Sequence, residues 1–176
     1  MNKAITLSTL LGAAVVSHAG IWNVNFVNDL MTGAEAVPPT ASVAIGGELG
    51  SGIRYNDAAN RLEINLLYGM IGWPELEGNF LSASLGLGAP GQVGQQVVDM
   101  TTWNLAFGSR RGFILGETTL TQAQEAQLFA GNFYISISSA KYPTGEIRGQ
   151  LAVVPEPGTW ALLLAGLGGL WYFRRK

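Results

Sequence analysis

Cysteine is missing from all 176 residues, and histidine occurs once, at position 18. Without cysteine there is no disulfide framework, no thiol nucleophile and no thiolate metal site. His18 falls in a leader-like stretch expected to be removed, so the mature chain would carry neither residue. That excludes Ser–His hydrolases, Cys–His peptidases, ordinary zinc and copper centres and most general-base schemes at neutral pH. Carboxylate, lysine or tyrosine chemistry is what remains for an enzyme. Positive charge is scarce as well. Residues 20–152 hold six cations (Arg54, Arg61, Arg110, Arg111, Lys141, Arg148) against eleven carboxylates, a net charge of −5. An acidic domain has no electrostatic reason to bind nucleic acid. It suits solubility outside a cell and weak binding of cations.

What is present divides the chain into three parts: 1–19, 20–152 and 153–176. The first begins with Lys3, continues as an apolar core from Ala4 to Val16 and ends in Ser17-His18-Ala19. A positive region, a short apolar core and a small-x-small site describe a secretory signal peptide, with cleavage expected after Ala19. The alternative is an uncleaved anchor, for which the core is short of the roughly 20 apolar residues of a spanning helix. The last part reads Val153-Val154-Pro155-Glu156-Pro157-Gly158-Thr159, an apolar run from Trp160 to Phe173, then Arg174-Arg175-Lys176. Proline at 157 suits a first helical turn, where its missing N–H would be unpaired anyway. The apolar run predicts a single transmembrane helix, with the terminal cations on the cytoplasmic side. At about 1.5 Å per residue it covers roughly 21 Å of a roughly 30 Å hydrocarbon core, a marginal span. Aromatic flanks and snorkelling arginine help such a span. This tail, with Pro155, Glu156 and Pro157 as its signature, resembles the PEP-CTERM sorting signal of Gram-negative bacteria. The resemblance implies an exosortase-type membrane processing enzyme as partner and transient residence in the inner membrane. It also implies a final location at the cell surface or outside the cell. A marginal helix fits a segment that is later removed.

The middle part is rich in Gly, Ser, Thr and Asn with alternating apolar positions, which predicts strands separated by turns. Trp22, Val24 and Phe26 alternate with Asn23 and Asn25. A second alternation runs through Val43, Ile45, Gly47 and Leu49 towards Ile53 and Tyr55. After a loop at 56–60, Leu62, Ile64, Leu66 and Tyr68 alternate with polar partners, and the two segments should form a hairpin. Further strands are expected at Phe80–Leu85, Val93–Met100, Phe113–Thr119, Phe133–Ser138 and Glu146–Val153. One short helix is expected, capped by Thr121 with Gln124 completing a capping box and stopped by Gly131. About eight strands and one helix predict an all-β fold, an antiparallel β-sandwich or a small closed barrel. Trp22, Phe26, Tyr68 and Tyr134 are expected in its core.

Two local patterns carry a second resemblance. Gly33-Ala34-Glu35-Ala36-Val37-Pro38-Pro39 opens the domain, and Tyr142-Pro143-Thr144-Gly145-Glu146-Ile147-Arg148-Gly149-Gln150-Leu151 closes it. Together they resemble the signatures of the CHRD domain, named for its repeats in chordin, over about residues 24–152. Glu35, Pro38, Pro39, Gly145, Glu146, Arg148 and Gly149 are the signature positions. In chordin such repeats belong to an extracellular binder of growth factors. Many bacterial relatives carry a His-x-His element before a Gly-rich loop and another His before the closing motif. Here Ser82, Ser84 and Ser138 align with those histidines. Serine hydroxyls do not replace imidazoles as transition-metal ligands, so no metal and no cofactor is expected.

The remaining candidates have a bland and a functional reading. Glu146 and Arg148 share a strand face. Arg148 is expected to pair with Glu35 or Glu146 and tie the closing strand to the opening segment, since an arginine beside a carboxylate holds it ionised. The functional reading makes Glu146 an acid or a cation ligand. The Gly-rich segment 86–94 is expected as a turn, because a phosphate cradle needs a helix behind it and a strand follows. Trp73 and Trp103, beside Glu75 and Asn104, are core or loop anchors, or an aromatic platform for sugars. These readings lead to a non-enzymatic exported protein of the cell surface or the extracellular polysaccharide matrix, in contact with polysaccharide or a surface protein. A carbohydrate-binding module is the alternative. A carboxylate-based glycosidase comes third, since it needs two acids about 5–10 Å apart across one cleft.

Overall fold

The computed structural model describes residues 20–70 and 72–154. The expected signal peptide and transmembrane helix, and the sorting motif Pro155, Glu156 and Pro157, lie outside the described residues. The middle part forms one antiparallel sheet of ten strands with one short helix. The strands are β1 (Ile21–Phe26), β2 (Met31–Thr32), β3 (Ile45–Asn56), β4 (Arg61–Tyr68), β5 (Phe80–Leu87), β6 (Gln95–Asp99), β7 (Asn104–Ala106), β8 (Gly112–Thr119), β9 (Phe133–Ser139) and β10 (Ile147–Val154). Helix α1 spans Gln122–Phe129. The strand order is β6-β5-β9-β10-β1-β3-β4-β8-β7, with β2 bridging β10 and β3.

The 62–68 alternation is the centre of the fold. Leu62, Ile64, Leu66 and Tyr68 are fully buried, while Glu63 and Asn65 face outwards. β4 pairs with β3 on one side and with β8 along its full length on the other. As expected, β3 and β4 form a hairpin, closed by Asp57–Asn60, with Asn60 in the left-handed region at φ 51°. Asn60 Oδ1 accepts from the hydroxyl of Tyr55 at 3.2 Å. Asp57 in the same turn accepts from Gly20 N at 2.7 Å and from Trp22 Nε1 at 3.1 Å, which docks the start of β1. The capping box of α1 forms as read: Gln124 N donates to Thr121 Oγ1, and Thr121 N to Gln124 Oε1 at 2.8 Å.

The two strands that sequence periodicity missed, β2 and β7, are two and three residues long, too short to show a period. β2 continues β1 after a break at 27–30, where Asp29 takes φ 63°. β3 is irregular opposite the same break: four residues between Glu48 and Ile53 face the single Asn65 between Leu66 and Ile64. Such a bulge lets one strand bend without leaving the sheet. Glu48 fills the gap, its Oε1 accepting from Phe26 N at 3.2 Å.

The outermost strands, β6 and β7, are joined through Met100 and a 3-10 turn at Thr101–Trp103, so the two ends of the sheet lie near one another. Hydrogen bonds join these ends directly: Leu76 N to Arg110 O at 3.0 Å and Phe80 N to Ser109 O at 2.6 Å. Tyr68 of β4 stacks on Phe80 of β5, with centroids 5.6 Å apart. Burial pushes the Tyr68 phenol up to about 12, so it stays protonated and donates to Asn104 Oδ1 at 2.9 Å.

The core expectation holds for Phe26 and Tyr68. Trp22 is half-buried at the rim, edge-on to Phe129 at 5.3 Å. Tyr134 is buried as expected, but outside the main cluster. Its neighbours Phe133 and Ile135 point into the core, so strand alternation turns Tyr134 to the opposite face, where Arg148 covers it. Trp103 packs against the core and over the backbone of β8 at Gly116, where a Cβ would overlap the indole. Gly116→Ala should therefore cost about 1–3 kcal/mol in urea unfolding. In a Trp103→Ala background the same substitution should cost much less, and equal costs in both would disprove the contact.

Candidate functional site

The opening and closing signatures meet on the outer face of β10. Residues 145–151 are buried without exception, because the core covers one face of the strand and loops cover the other. Ile147 and Leu151 point inwards. Gly149 lies where a Cβ would run into the ring of Phe26. Gly145 adopts φ 136°, which an L side chain rarely tolerates, and makes the turn into the strand. Arg148, only 4 % exposed, lies over the ring of Tyr134 at 3.6 Å. Its Nη1 donates to Gln92 O at 2.7 Å, and its Nη2 to Gln150 Oε1 at 3.0 Å and more weakly to Ala89 O at 3.4 Å. Gln150 Nε2 in turn donates to Gly88 O and Gly131 O at 3.0 and 2.8 Å. Residues 88–94 thus form the turn expected in this segment, after Gly86 and Leu87 end β5, and Arg148 and Gln150 clamp carbonyls of the turn to the closing strand.

The expected pairing of Arg148 with Glu146 is corrected here, and no ion pair joins it to Glu35. Arg148 spends its donors on backbone carbonyls, which leave no trace in side-chain composition. Burial pulls its guanidinium below the ordinary value, opposed by Tyr134 and Glu35. Glu35, Pro39, Arg148 and Gln150 line a concavity of about 310 Å³, so Glu35 influences Arg148 across that space. Glu35 itself accepts from Asn28 Nδ2.

Glu146 belongs to a separate knot on the far side of the turn. It is fully buried, and its Oε1 accepts from Ser42 Oγ at 2.7 Å and Glu77 N at 2.6 Å. Its backbone carbonyl accepts from Thr40 Oγ1 at 2.9 Å. Glu77 accepts from Lys141 Nζ and from the Tyr142 hydroxyl. This knot ties the residues after Pro38 and Pro39 to the segment before β5 and to the closing turn.

Ser82 and Ser138 are cross-strand partners, and Ser84 faces Ser136, which sequence reading did not single out. Ser82, Ser84 and Ser138 therefore share one outer face, as a serine patch. Among the described residues no three His, Asp or Glu side chains gather there or elsewhere.

The two tryptophans are not brought together. Trp103 is occupied by Gly116, whereas Trp73 lines a groove of about 520 Å³ with Gly69, Pro74, Glu75, Phe107 and Arg111. A Cβ at Gly47 would approach Trp73 to 2.6 Å, so the indole lies directly on the β3 backbone. Glu75 bonds Arg110 at 3.0 Å and Arg111 at 3.3 Å. Phe107 and Arg111 were missed because their turn carries no periodicity. Exposed Phe107 was the available signal.

The Arg148→Met variant keeps the stem over Tyr134 but strands the carbonyls, and should lose about 2–4 kcal/mol. Arg148→Lys should recover less than half of that, because one ammonium cannot fork between the acceptors. A fully stable Lys variant would contradict the clamp. In the second knot, the hydrogen bond from Lys141 holds the Glu77 carboxyl below its ordinary value. A depressed carboxylate stabilises the fold above its unfolded pKa, and that stability is lost as pH falls through the folded one. The urea midpoint of Glu77→Gln should accordingly fall less than wild type between about pH 5 and pH 3. Parallel curves would show that the ion pair is inert, the usual state of exposed pairs.

Comparison with known proteins matches residues 27–151 to the CHRD domain and residues 153–176 to the PEP-CTERM protein-sorting motif. Neither a curated protein nor a solved structure matches the chain. The sorting motif implies processing by an exosortase and sorting to the cell surface. With the opening and closing signatures joined across β10 and the family covering most of its length, the chain belongs to the CHRD domain family and carries a PEP-CTERM sorting tail.

Proposed function

We propose that this is a non-enzymatic domain of the cell surface or extracellular polysaccharide matrix of a Gram-negative bacterium. It is carried through the inner membrane as a precursor and released from its tail helix. The observation that carries the reading is the sorting motif directly behind a compact, acidic, signature-clamped domain. Its geometry supports a binding role. The concavity at Arg148 and the groove at Trp73 are each lined by a single carboxylate, Glu35 and Glu75, where a glycosidase needs a facing pair. Glu75 is held in ion pairs with two arginines. We read the joined edges of the sheet as a small closed barrel, which removes the free strands that invite uncontrolled pairing outside the cell.

The second reading, a carbohydrate-binding module, is favoured by the groove at Trp73. The sorting step is tested in a host with an exosortase by replacing Pro155, Glu156 and Pro157 with alanine. Wild-type protein should appear outside the inner membrane, and mass spectrometry should place its ends near residue 20 and ahead of Trp160. The variant should accumulate in the inner membrane with its tail intact. Identical maturation of the two, or a tagged protein confined to the cytoplasm, would overturn the proposal.

A further inference from the structure

We infer that the groove at Trp73 binds a carboxylated sugar residue within a sparsely charged polysaccharide. In this assignment Trp73 and Phe107 pack on the sugar ring and Arg111 engages its carboxylate. The inference deepens the carbohydrate-binding reading and rests on it. Three observations carry it. First, the groove has the volume of a ligand site and two aromatic side chains in its walls. Phe107 is 60 % exposed on a short turn, its only ring partner among the described residues being Phe113, edge-on at 5.0 Å. An aromatic ring kept in water and outside the core offers an apolar face to a partner.

Second, the charge is of the right sign and in the right place. The domain is acidic, yet here two adjacent arginines share one carboxylate, leaving a local excess of one positive charge. Arg111 uses Nε on Phe107 O at 3.3 Å and Nη1 on Glu75, and its side chain is half exposed. Its Nη2 keeps donors for a charge-assisted hydrogen bond to a carboxylate. Third, hydrogen bonds and packing fix parts of the site independently of a ligand. Phe107 N donates to Arg111 O at 3.1 Å, Leu76 N to Arg110 O at 3.0 Å, and Trp73 rests on Gly47. Preorganisation of this kind lowers the entropic cost of binding. The surrounding negative charge explains the choice of polymer: a chain charged at every unit would be repelled, whereas one acidic sugar among neutral ones is not.

The test uses the full chain in a polyoxyethylene detergent, titrated calorimetrically with a hyaluronan tetrasaccharide, in which glucuronate alternates with a neutral sugar, and with neutral chitotetraose. The acidic sugar should bind at least tenfold more tightly. Arg111→Gln should remove that preference, weakening the acidic sugar far more than chitotetraose. Phe107→Ser, a change at an exposed position, should weaken both sugars roughly tenfold with melting temperature unaltered. Arg61→Gln, which breaks an exposed pair with Glu117 elsewhere, should change neither. Equal affinity for the two sugars would overturn the acidic-sugar inference and leave the carbohydrate reading standing. Binding indifferent to both groove variants would overturn the site, and no binding of either sugar would sink inference and reading together.

Discussion

Arg148 is the constraint on which this domain depends. Its guanidinium is buried, lies over Tyr134 and reaches the carbonyls of a loop that begins more than fifty positions earlier. A buried cation is tolerated only when its donors are satisfied, and here most of that satisfaction comes from backbone. The loop at 88–92 is therefore shaped by the closing strand, and the closing strand is covered by that loop. Remove either and the other faces water with unpaired groups.

The signature glycines follow from the same crowding. Gly149 admits Phe26 against the inner face of β10, and Gly145 turns the chain so that Arg148 and Glu146 are delivered to separate networks. The short sequence Gly-Glu-Ile-Arg-Gly-Gln thus packs a core residue, two network centres and two steric exceptions into one strand entry. Its family resemblance reflects a geometric problem with few solutions. The groove at Trp73 lies apart from that cluster, at the opposite joining of the fold, where Gly47 and Gly69 again leave no room for a side chain.

Much of this was legible in the residues. The alternation at 62–68, the hairpin at 56–60 and the capping box at Thr121 and Gln124 are local, and local signals survive folding. β2 and β7 were not legible, since two or three residues show no period. Tyr134 was legible as a buried residue, but not which face it takes, since its cover, Arg148, comes from the neighbouring strand. The true partners of Arg148 were hidden for a deeper reason: any residue supplies a carbonyl, so composition cannot mark which one is used. Trp73 was visible as an aromatic, but its companions Phe107 and Arg111 come from another turn, and only the joining of the sheet's ends brings them together.

The position of β10 has a mechanical consequence. Val154 pairs with Asn23, so the tail departs from the middle of the sheet, beside the start of β1. A pull on the tail enters β10 along its axis and is resisted at once by the ladders to β9 and β1 and by the side chains packed on both faces. Such loading shears many hydrogen bonds together, where a pull on an edge strand would peel them one at a time. A domain hung by this strand is suspended from its most deeply anchored element.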